Sequence, residues 1–177
     1  TNLQDTMVMT RSFQTSALRD QSSVLWLQLN AMDDERTRIM GRALAESGRL
    51  DGKTVGILTR SQTDAFEGTV LQETLAEFGF DAQLAPGSVG GDDPIAREAD
   101  LALIAERFRV EGVDFVFELL GGGDTAGIFA RAGFTPQFAF KALGPSIDGT
   151  PERSLLDGAL SVSEINEQAM FADADFQ

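Results

Sequence analysis

Four glycines constrain the fold most. Gly48, Gly79, Gly112 and Gly133 each follow a stretch with helical spacing and precede an apolar run. Glycine at such points stops a helix, because it enters the left-handed backbone region without a Cβ clash. Helix, glycine, strand, repeated along a chain, predicts an α/β fold with a mostly parallel open sheet. Right-handed crossovers then place helices on both faces, giving a three-layer sandwich. The runs T-V-G-I-L at 54–58 and F-V-F at 115–117 are nearly continuous in apolar residues. Strands covered on both faces read this way. The 177 residues suffice for one domain with a substantial core.

Between the glycines the helices have their own signals. Asp33 and Asp34 open the first, with Ile39, Met40, Ala43 and Leu44 as its expected buried stripe. Asp64 and Glu67 form a D-x-x-E start, close to a capping box, ahead of an apolar face of Phe66, Val70, Leu71, Leu75 and Phe78. Asp93-Pro94 reads as an N-cap followed by an N1 proline, and Leu101, Ile104, Ala105 and Phe108 form the next stripe. Asp124 starts a short helix that ends at Gly133, and Thr150-Pro151 caps one or two further turns. Short strands are expected at 4–10, 81–84, 137–140 and 158–162, while 22–29 is extended or a crossover.

In an open parallel sheet, ligands bind outside the carboxyl ends of the strands. The stretch V-D-F-V-F-E-L-L-G-G-G-D-T at 113–125 is such an end, running from strand through glycines to helix. Gly121, Gly122 and Gly123 serve either a tight turn or the close approach of a ligand. The loop after 54–58 carries Arg60, Ser61, Gln62, Thr63 and Asp64, which form either a solvated capping loop or a polar wall. Glu118 follows Phe117 in an apolar strand, and a buried carboxylate is costly unless paired. Lys141, at the end of a neighbouring strand, has the sign to pair with it. An ion pair, a carboxylate just past the sheet edge, and contact with a polar ligand all remain open.

Several chemistries are excluded. The chain has no Cys and no His, so thiol catalysis, histidine triads and imidazole metal sites are absent. A net charge of −14 argues against binding nucleic acid or an anionic membrane through a basic face. No run of about 18 apolar residues is present to span a bilayer. Gly52-Lys53-Thr54 imitates a phosphate loop but has Ser47 where the first glycine belongs, and it precedes a strand. No G-x-G-x-x-G stands at a strand-to-helix turn, and the acidic pairs Asp33-Asp34 and Asp92-Asp93 are explained by capping. No catalytic group, metal or cofactor is implied.

Three segments together resemble the type I periplasmic solute-binding proteins, nearest the branched-chain amino-acid group: D-G-K-T-V-G-I-L-T-R-S-Q-T-D-A-F-E-G at 51–68, G-F-D-A-Q at 79–83 and G-V-D-F-V-F-E-L-L-G-G-G-D at 112–124. G-F-T-P-Q-F at 133–138 fits the same pattern. M-V-M-T-R-S-F-Q-T-S-A-L at 7–18 is similar to the last strand and ligand loop of the first lobe, and G-A-L-S-V at 158–162 to the strand before the chain returns there.

The resemblance implies a flavodoxin-like lobe. Residues 1–23 would end the first lobe and cross over, 24–162 would form the second lobe, and 163–177 would return. It implies a cleft that takes a small polar ligand, an amino acid or a related compound, for an ABC-type importer. Ser12 and Gln14 would face that cleft from the first lobe. Phe13 and Gln14 depart from the small or hydroxyl residues the family carries there, which puts an α-amino acid in question. Gln62, Asp64 and Phe66 would line the first cleft loop of the second lobe, following the polar Arg60 and Ser61. Gly122, Gly123 and Asp124 would line the second, and Lys141 the third.

The resemblance also implies ABC permease subunits as partners and no nucleic acid. The inter-lobe surface, exposed in a fragment, would be available for self-association. The implied location is periplasmic or at the cell surface, with a lipid anchor as one form of attachment. A sensing module of a receptor with the same fold is the alternative, and a flavodoxin-like enzyme or nucleotide binder a further one. The chain opens on Thr1 and reads as a processed product or a piece of something longer.

Overall fold

A computed structural model describes residues 7–10, 25–28, 33–59, 65–85, 93–120, 124–141 and 149–162. Two short strands, β1 (Met7–Thr10) and β2 (Leu25–Gln28), pair in parallel with each other. The remaining elements alternate. Helix α1 (Asp33–Glu46) leads to β3 (Val55–Leu58), α2 (Ala65–Glu77), β4 (Ala82–Ala85) and α3 (Pro94–Val110). Then come β5 (Phe115–Glu118), α4 (Thr125–Arg131), β6 (Gln137–Phe140), a 3-10 turn (Arg153–Leu156) and β7 (Leu160–Ser161).

The main sheet has five parallel strands in the order β4-β3-β5-β6-β7, the doubly wound arrangement expected from the glycine punctuation. All four punctuating glycines have φ between +69° and +86°, as helix-ending residues in the left-handed region do. Asp93 caps α3 by accepting a hydrogen bond from the Ile95 amide at 2.9 Å, with proline at the first helical position.

Strand alternation divides the core in two. Phe115 and Phe117 of β5, with Leu119 just past its end, point to one face, where they meet Leu71 and Leu75 of α2 and Leu44 of α1. Val116 and Leu120 point to the other, where they meet Leu101, Ala105 and Phe108 of α3 and Phe129 of α4. Helices therefore cover both faces. This is the predicted three-layer α/β sandwich.

Two of the expected helix faces are corrected. In α1 the buried residues are Asp34, Thr37, Met40, Gly41, Leu44 and Ala45, whereas Ile39 is 54% exposed and Ala43 is exposed. The helix packs on α2, and Gly41 lies against Leu71 and Thr74, so its seat is set by a small residue and not by the largest apolar one. In α2 the buried set is Gly68, Val70, Leu71, Thr74 and Leu75, while Phe66 and Phe78 lie outside it. The α3 stripe is as expected, with Ile104 partly buried.

Candidate functional site

After β3 the chain turns to β4 on one side, and after β5 it turns to β6 on the other. The carboxyl ends of β3 and β5 therefore flank the point where strand order reverses, which is where doubly wound sheets open a crevice. Each end carries polar groups. Thr59, just past β3, is fully buried and its hydroxyl donates to the Ala85 carbonyl at 3.4 Å. Glu118 closes β5 and is only 1% exposed. Backbone bonds tie the ends together, with the Leu119 amide donating to the Leu58 carbonyl at 2.9 Å and the Lys141 amide to the Glu118 carbonyl at 3.2 Å.

Two charged networks stand on this edge. Lys141 donates from Nζ to both oxygens of Glu67, at 2.7 and 2.8 Å, and both side chains are largely shielded. Glu67 lies in the first turn of α2. The pair therefore joins the helix that follows β3 to the end of β6, and passes over the end of β5, which lies between those strands.

The second network begins at Asp124. One oxygen caps α4 by accepting from the Gly127 amide at 3.1 Å, and the other accepts from Arg131 Nη1 at 3.0 Å. Arg131 Nη2 continues to Glu98 of α3 at 2.9 Å. The guanidinium pKa of Arg131 is raised above its ordinary value, first by Asp124 and then by Glu98.

Of the readings left open for Glu118, an ion pair with Lys141 is not the one formed, because the ammonium meets Glu67 instead. Residues 139 and 141 share one face of β6, and Ala139 packs with α2. Residues 116, 118 and 120 share the opposite face of β5, where Val116 and Leu120 pack with α3 and α4. Lys141 and Glu118 thus leave the sheet in opposite directions, and the ammonium reaches the acid on its own side. Glu67, read from sequence as half of a capping box, is the partner of Lys141 that sequence reasoning missed. Counting strand parity from Ala139 to Lys141 would have excluded Glu118 and pointed to α2.

Of the other expected site residues, Phe66 is 42% exposed in the first turn of α2, and Asp124 stands at the start of α4 as expected. Thr125, next to it, is fully buried, and its hydroxyl has no hydrogen-bond partner among the described residues. Ser12, Gln14, Arg60, Ser61, Gln62, Asp64, Gly122 and Gly123 lie outside the described residues. A groove of ≈ 400 Å³ runs along α4, lined by Asp124, Gly127, Arg131, Pro151 and Leu155, beside the strand-order reversal and not over it. Among the described residues, no cluster of three or more acids could hold a metal ion, and no helix is long and apolar enough to cross a membrane.

No family model matches the sequence, and no curated protein does. Solved structures do match. An ABC transporter substrate-binding protein from Desulfitobacterium hafniense, in complex with Leu, is 13% identical, with a TM-score of 0.52 over 75% of this chain and 38% of its own. A solute-binding protein of an ABC transporter from Rhodopseudomonas palustris BisB5, in complex with 3,4-dihydroxybenzoic acid, is 16% identical, with a TM-score of 0.51 over 75% of this chain and 36% of its own. Another structure of a Desulfitobacterium hafniense substrate-binding protein gives 13% identity and a TM-score of 0.53. At these identities the likeness is one of fold. The chain has the architecture of a type I periplasmic-binding-protein lobe, and it spans under two-fifths of the length of these proteins.

Proposed function

We propose that this chain forms one wall of a cleft that binds a small polar solute, as the second lobe of an extracytoplasmic solute-binding protein. The observation that carries this reading is the partly exposed Glu67–Lys141 pair at the carboxyl edge of a parallel sheet whose fold resembles that of substrate-binding proteins. Ligands bound by two of those proteins, leucine and a dihydroxybenzoic acid, are small and carry both apolar and polar groups.

On this reading the described wall offers an exposed phenyl ring at Phe66 and charged side chains held in place by partners. Arg60, Ser61, Gln62 and Asp64 would contribute from the loop after β3, Gly122 and Gly123 from the loop after β5, and Ser12 and Gln14 from the facing lobe. Closure about a hinge would remove water and strengthen each polar contact. The work is capture and release to an ABC permease, without turnover of the solute.

Thermal-shift screening of the full-length protein with amino acids, amides and small organic acids tests this. A true ligand at about 100 times its Kd adds roughly 2.7 kcal/mol of stability, a clear rise in Tm. The expected result is such a rise with at least one of these solutes and no consumption of it. A rise with nucleotides alone would overturn the reading.

A further inference from the structure

Resting on the solute-binding reading, we propose that the Glu67–Lys141 pair selects a neutral oxygen acceptor, an amide carbonyl or hydroxyl, over a carboxylate at this wall of the cleft. An unaccompanied lysine at the end of β6 would favour anions. Here its ammonium is met by both oxygens of Glu67, at 2.7 and 2.8 Å. Both residues sit at the carboxyl edge, and neither is fully buried, with side-chain exposures of 24% and 15%.

An ammonium has three donors, and the two carboxylate oxygens engage at most two of them. At least one N–H remains for a solute. Any solute atom that takes it also comes close to Glu67. A carboxylate there loses to Glu67 most of what it gains from Lys141, and it still bears the cost of leaving water. A neutral carbonyl or hydroxyl accepts the same hydrogen bond without that repulsion and with a smaller desolvation cost. Glu67 is thus a positioning and charge-compensating residue for Lys141. The position of the ammonium is fixed from both ends, by the β6 backbone bond to Glu118 and by the first turn of α2.

The test compares three matched pairs by calorimetry on the full-length protein: glutamine with glutamate, asparagine with aspartate, and benzamide with benzoate. The unmodified protein is expected to prefer the amide of any pair it binds. Glu67→Gln keeps the shape and an acceptor for Lys141 but removes the compensating charge. It should move the preference toward the acid by roughly tenfold, equivalent to about 1.4 kcal/mol. Lys141→Met should weaken the amide and leave the acid disfavoured. Retained Tm in both variants separates these effects from loss of fold. A preference for the acid in the unmodified protein would overturn the inference. So would an acid-to-amide ratio within twofold of the original in folded, binding-competent Glu67→Gln. Binding of other solutes but none of these six would overturn this inference alone, whereas binding of no solute at all would overturn the solute-binding reading with it.

Discussion

Truncating Phe117 to alanine is expected to lower folding stability by about 3–5 kcal/mol, the range for removing a large aromatic side chain from a packed core. Phe117 lies at the centre of β5, in register with Ile57 on one side and Ala139 on the other, and it is fully buried. Its ring belongs to the core shared with Leu71 and Leu75 of α2. Those partners are fixed to a helix and two strands, so they cannot collapse into the space left behind. Urea denaturation should show a lower midpoint with an unchanged slope, since the same surface is exposed on unfolding. The same truncation at Ile95, which is 81% exposed on α3, should change stability by no more than about 0.5 kcal/mol. A loss below about 1 kcal/mol at Phe117, under a third of the lower bound for such truncations, would mean that β5 is not the centre of this sheet.

Gly68→Val should cost about 2–3 kcal/mol, the upper part of the range for overpacking. A Cβ at Gly68 would stand 2.6 Å from Leu84 Cδ1 and 2.6 Å from Thr59 Cγ2. The leucine tip can swing aside. The threonine methyl cannot easily do so, because its hydroxyl is engaged by the Ala85 carbonyl and β-branching stiffens its χ1. The first turn of α2 must therefore lift from the sheet. Glu67 is the adjacent residue, so the lift also draws its carboxylate away from Lys141, and solute affinity in the full-length protein should fall with stability. Intrinsic helix propensity acts in the opposite direction, since most residues exceed glycine in a helix by a few tenths of a kcal/mol to about 1 kcal/mol. A variant as stable as the original, or more so, would show that α2 does not approach the sheet this closely.

The glycine punctuation made the fold legible because it reports backbone geometry directly. A left-handed residue ends a helix whatever surrounds it, and Gly48, Gly79, Gly112 and Gly133 all adopt that conformation. Helix faces were less legible. In α1 Met40 and Leu44 are buried as expected, but Gly41 makes the close contact with α2, while Ile39 and Ala43 are exposed. In α2 the buried Gly68 and Thr74 replace the exposed Phe66 and Phe78. Close approach selects small residues, and hydrophobicity alone does not register them.

At the candidate site, sequence located the strand ends that carry Glu118, Asp124 and Lys141, because the crevice rule depends only on topology. It did not supply side-chain direction. The partner of Lys141 depended on strand parity and on a helix residue 74 positions away, Glu67. Arg131, which joins Asp124 to Glu98, was missed for the same reason: the contact to Glu98 crosses between two helices.

The central claim is that solute meets this chain at the carboxyl edge of β3, β5 and β6. Amide hydrogen exchange on the full-length protein, with and without the solute giving the largest thermal shift, tests it most directly. Slowed exchange is predicted at residues 65–68, 118–120, 124–126 and 140–141. Slowed exchange confined to the groove along α4, around Arg131 and Leu155, with the strand ends unchanged, would contradict it.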